Sequence, residues 1–149
     1  MRHLALILLA ATTLFGLPSQ RDTLNTQYLQ ARGNYAAVQK AGKKEAILAS
    51  FVAIQEVGNA VIAANQTAIA ATTLGSYTYP ADVKSDKARK AYDDKMAKFN
   101  RTLRESNATM SGFTPPTDTE VASIKLVDSY INTLVKGIET HHTTCLNIR

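Results

Sequence analysis

The chain has 149 residues, 17 Lys and Arg against 12 Asp and Glu, and a net charge of +5. That length makes one domain with room for a core, and few Gly and Pro with ordinary apolar content exclude wholesale disorder. A single cysteine, Cys145, excludes an internal disulfide framework.

The N-terminus reads as a secretory leader. Arg2 and His3 give a positive start, Leu4 to Phe15 is almost unbroken apolar chain, and Gly16-Leu17-Pro18-Ser19 reads as a small-residue exit. The apolar run is shorter than the roughly 20 residues a membrane span needs. Cleavage is expected between Gly16 and Arg21, after Gly16 or after Ser19. The division is a signal peptide over 1–19 and one extracellular domain over 20–149.

Asp22 to Ala41 repeats apolar or small residues at Leu24, Tyr28, Ala31, Tyr35 and Val38, one helical face. Gly42 predicts a break or bend before the next helix. Ala46 to Leu74 is the most apolar part of the domain, with Ile47, Phe51, Ile54, Gly58, Val61 and Ala68 on one face, and Leu48, Val52, Val57, Ile62 and Ile69 widening it. Glu56, Asn59, Asn65 and Gln66 interrupt the run, so it is read as a core helix and no transmembrane segment is expected.

Gly75 to Pro80 reads as a loop, and Asp82 or Ser85 as the cap of a third helix. Ala88, Tyr92, Met96, Phe99, Leu103 and Met110 form its apolar stripe, and an end is expected near Ser111-Gly112. Thr117-Asp118-Thr119-Glu120 has the spacing of a capping box. Val121, Ile124, Val127, Ile131, Leu134 and Ile138 form the stripe of a last helix expected to fade after His142. The class is all-α: an antiparallel four-helix bundle, or alternatively a long N-terminal helix on a helical hairpin.

The charge is concentrated. Lys84, Lys87, Arg89, Lys90, Lys95, Lys98, Arg101 and Arg104 fall within 21 residues with only three Asp, and the remainder from Gln20 on is nearly balanced. This segment is the candidate interaction surface for an anionic partner. Stacking aromatics do not interleave with its exposed side, so no specific nucleic-acid signal is present. Asp93 and Asp94 read as solvated partners of Lys90 and Lys98.

Asn65, Asn100 and Asn107 each open an Asn-X-Thr sequon, the acceptor for N-glycosylation in a secretory route. Cys145 is read two ways, as a packed apolar residue or as the site of an intermolecular disulfide making a homodimer. His141 and Cys145, four apart, hint at a metal site, but too few ligands accompany them. No catalytic or metal residues and no cofactor are assigned.

The function expected is that of a secreted, non-enzymatic bundle acting on an extracellular protein, glycan or cell-surface partner. The alternatives are a carrier of a small apolar ligand between helices, lined by Phe51, Tyr92, Met96, Phe99 and Ile131, and a disfavoured secreted enzyme or metal protein.

Overall fold

The computed structural model describes residues 17–42, 44–73, 77–117 and 124–148. Four helices follow in order: α1 (Leu17–Ala41), α2 (Lys44–Ala71), α3 (Asp86–Ser111) and α4 (Ile124–Leu146). No strand occurs among the described residues, and the helices pack on one another as an all-α four-helix bundle.

The direction of each helix follows from its bonds. Tyr28 meets Glu139 and Tyr35 meets Asp128, so α1 and α4 run antiparallel. Asn65 meets Asn107 and Thr72 meets Asn100, so α2 and α3 do too. Phe51 stacks on Tyr130 at 5.3 Å and Asn65 reaches His141, so α2 and α4 form the parallel diagonal. Both diagonal helices pack against every other helix.

Gly42 ends α1 as predicted. Its φ of 66° is the left-handed conformation glycine adopts freely, and its N–H donates to the Val38 carbonyl at 3.1 Å. The long continuous N-terminal helix is thereby excluded. Ser85 caps α3, its hydroxyl accepting from the Ala88 amide at 3.1 Å. Leu17 to Ser19, the part of the expected exit that is described, open α1. Pro18 fits there, since a first-turn residue needs no intrahelical N–H. Residues 1–16 of the expected leader over 1–19 lie outside the described residues, as does the capping box beyond Thr117.

Apolar burial divides in two. The larger core gathers Leu24, Tyr28, Ile47, Phe51, Ile54, Val61, Met110, Val127, Ile131, Leu134 and Ile138 with their neighbours. A smaller one holds Ala68, Met96, Phe99, Leu103 and Cys145 at the end where α1 begins and α2 and α4 finish. Each large side chain fully buried contributes about 1.5–3 kcal/mol. α2 is long and apolar enough to cross a membrane by length and composition. In the bundle it packs against the three other helices, with 39 % of its most apolar stretch buried.

Two helical glycines set opposite expectations. A Cβ at Gly33 would meet nothing within 4 Å, whereas one at Gly137 would fall 2.3 Å from Met110 Sδ and 2.4 Å from its Cγ. Gly33→Ala should therefore raise stability by up to about 1 kcal/mol through helix propensity alone. Gly137→Ala should lower it by about 1–2 kcal/mol, overpacking outweighing the same propensity gain. Urea midpoints moving in the same direction for both variants would contradict the α3–α4 contact.

Candidate functional site

Two features stand out on this scaffold: a charged outer face on α3 and a polar layer inside the bundle.

The outer face is built by the α3 pattern. Met96, Phe99, Leu103, Ser106 and Met110 point inward at three- and four-residue spacing, which leaves Lys90, Lys98 and Arg101 on the opposite side. Lys84, Lys87, Arg89, Lys90, Lys98, Arg101 and Arg104 are exposed, and Lys95 is half-buried with Nζ donating to the Ile148 carbonyl at 3.1 Å. Lys90 pairs with Asp94 at 3.0 Å. Asp93 behaves otherwise than expected. It accepts from the hydroxyls of Tyr77 and Tyr79, and those bonds hold its carboxyl below the usual range. Tyr77, Tyr79 and Tyr92 pack ring against ring at 5.6–5.8 Å, and the Arg89 guanidinium lies 5.6 Å from the Tyr79 ring centre. Tyr77 and Tyr79 are thus pinned beside the start of the basic face.

The polar layer runs between the two cores. Asn65 is fully buried, its Nδ2 donating to Asn107 Oδ1 at 2.6 Å while its Oδ1 accepts from His141 Nδ1 at 2.5 Å. Asn107 Nδ2 donates to the Ile62 carbonyl at 3.2 Å. Ser106 donates to the Gly137 carbonyl, also at 3.2 Å, and the Thr72 hydroxyl bonds Asn100 while Asn100 Nδ2 returns a bond to the Thr72 carbonyl at 2.9 Å. Because Asn65 Nδ2 is spent on Asn107, its oxygen faces the imidazole, so His141 carries its proton on Nδ1. Burial, then His142 and Arg21, hold the His141 pKa down to about 4.

All three sequon asparagines therefore face other helices. Asn100 and Asn107 are half-buried, their amide nitrogens bonded to the carbonyls of Thr72, just past α2, and of Ile62 within it, and Asn65 has no exposed surface. In this packed state the Asn65 amide has no room for a glycan.

Cys145 and His141 correct the expected fraying, since α4 continues to Leu146 and buries both. The thiol is 3 % exposed, and burial pushes its pKa up to about 11. A disulfide to a second chain would require this turn to open. Sγ lies 3.8 Å from Nδ1 and 3.9 Å from Nε2 of His141, so it sits along neither nitrogen's lone pair. Glu139 is taken by the Tyr28 hydroxyl at 2.8 Å and Arg32 at 2.9 Å. Among the described residues no group of three or more His, Cys, Asp or Glu could hold a metal ion.

The residues named as a ligand lining do not converge on one cavity. Phe51 and Ile131 belong to the large core, and Met96, Phe99 and Tyr92 to the small one or its edge. A groove of about 310 Å³ lies elsewhere, between α1 and α2, open to solvent and walled by Gln27, Gln30, Asn34 and Glu56 over Ala31, Ala53 and Val57.

Sequence reading missed the polar layer although its signal was present. Arg21, Asn65, Thr72, Ser106 and His141 each occupy the next three- or four-residue step of an apolar stripe. No family model, curated protein or solved structure matches the chain, so the reading of function rests on these residues alone.

Proposed function

We propose that the protein is an exported, non-catalytic helical bundle whose α3 face binds an anionic extracellular partner, a protein, glycan or cell surface. The observation that carries the reading is that seven of the eight basic side chains between Lys84 and Arg104 are exposed, with Lys90, Lys98 and Arg101 opposite the buried stripe. A charged stripe supported by a packed helix presents a fixed pattern to a partner, and its field speeds encounter with opposite charge.

The test is retention on immobilised sulfated polysaccharide and on vesicles containing anionic lipid, over a range of salt. Binding should weaken steadily with added salt, because exposed charges are screened within about 10 Å at 0.1 M. Reversing Lys87, Lys90 and Lys98 to Glu should abolish most of it and leave helicity nearly unchanged, since exposed ion pairs contribute little to stability. A triple variant that binds as well as the parent would remove the face from consideration. One that fails to fold would show that the helix sides are wrongly assigned.

A further inference from the structure

We propose that His141 is a proton-operated latch, whose protonation opens the C-terminal end of the bundle and exposes the small core around Cys145. His141 is 2 % exposed and lies between the two apolar cores. Its Nδ1–H is committed to Asn65 Oδ1, and the chain of amides continues through Asn107 to the α2 backbone. A second proton must therefore go on Nε2, whose hydrogen-bonding neighbour among the described residues is the Cys145 thiol at 3.9 Å.

Among the described residues the groups around the imidazole give that charge no counter-ion. From α1 comes Arg21, 4 % exposed, whose Nε and Nη2 bond the adjacent Asp22 while Nη1 is buried without a partner among the described residues. α2 offers Asn65, and α3, one bond further on, Asn107; neither titrates. α4 supplies His142, whose buried Nδ1 has no partner among the described residues, and Cys145, while Glu139 is held by Tyr28 and Arg32. Among the described residues an imidazolium here meets a buried guanidinium already paired with Asp22, and no carboxylate bonded to the ring. It is accommodated by reaching water.

The end that yields is the smaller core, five buried side chains against sixteen in the larger. The sign follows from proton linkage. The folded pKa, about 4, lies below the ordinary 6.5, so the open form takes up the proton more readily. The closed form keeps its full advantage above about pH 6.5 and loses it as pH falls towards 4. Opening should grow about 20-fold between pH 7 and pH 5, as the two pKa values dictate.

Cys145 reports the event. The full chain is reacted with 4,4′-dithiodipyridine at each pH, and each rate is divided by that of the same protein unfolded in denaturant, with far-ultraviolet dichroism recorded alongside. The expected result is an increase of about 20-fold from pH 7 to 5 with helicity retained. His141→Gln, which keeps a donor for Asn65 but cannot titrate, should be flat. Asn65→Asp, which gives the imidazolium a carboxylate, should reduce the rise or abolish it. The latch is overturned by a flat parent protein, by an equal rise in both variants, or by labelling that rises only as helicity is lost. If His141→Gln does not fold, the comparison with Asn65→Asp decides.

Discussion

Replacing Leu134 by Ala should cost roughly 3 kcal/mol, in the middle of the range for a fully buried leucine. Leu134 has no exposed surface and projects from α4 into the notch left by Gly58 on α2, where a Cβ would stand 2.9 Å from its Cδ2. A notch floored by a glycine has no side chain that can relax into the vacated volume. The loss therefore includes most of a cavity term as well as the lost transfer energy. The urea midpoint should fall with an unchanged slope. Gly58→Ala, mild on its own because it presses only the flexible end of Leu134, should recover part of the loss in combination with Leu134→Ala. Strict additivity would mean that the two positions do not share the space described.

Asn65→Ala should cost about 3 kcal/mol, through the groups it strands more than through its own lost bonds. The His141 Nδ1–H would be buried with no acceptor, and Asn107 Oδ1 would lose its donor. Asn107→Ala should be milder, because Asn107 is half-buried and its neighbours can recruit water. Converting both buried members together, Asn65→Ala with His141→Leu, should restore much of the stability, since an apolar pair strands nothing. Denaturation midpoints decide it. An Asn65→Ala protein as stable as the parent would show that the amide and imidazole are not joined.

Most of the architecture was written in the spacing of apolar residues. The α3 stripe from Met96 to Met110, the stop at Gly42 and the stop at Ser111-Gly112 all follow from local chemistry that tertiary contacts did not override. The misreadings share one cause, which is that polarity was taken for exposure. Val127, Ile131, Leu134 and Ile138 continue at the same spacing through His141, Cys145 and Ile148, yet the histidine suggested a loose end. Arg21 continues the α1 stripe towards the N-terminus in the same way, and the stripe was read as starting only at Leu24. A buried polar residue declares itself only through a partner on another helix, and no single helix reveals that Asn65 lies opposite His141. The basic segment was legible as a surface because burying so many charges would be prohibitive. What it meets is not encoded in spacing at all.

The tyrosines carry a consequence for the alkaline limit of the fold. All six have phenol pKa values raised above the ordinary 10. For Tyr28, pushed up to about 12, and for Tyr35, also raised, burial and a hydrogen bond to an α4 carboxylate are the main causes. Tyr77 and Tyr79 share Asp93 in the same way. A phenolate formed in any of these places would confront the carboxylate that its proton had bridged. The raised values mean that phenols ionise more readily once released, so stability held below pH 10 drains away as pH rises towards 12. Base and unfolding thus reach the α1–α4 seam together, and the chain, which has no tryptophan, acquires in its phenols an intrinsic chromophore for the closure of that seam.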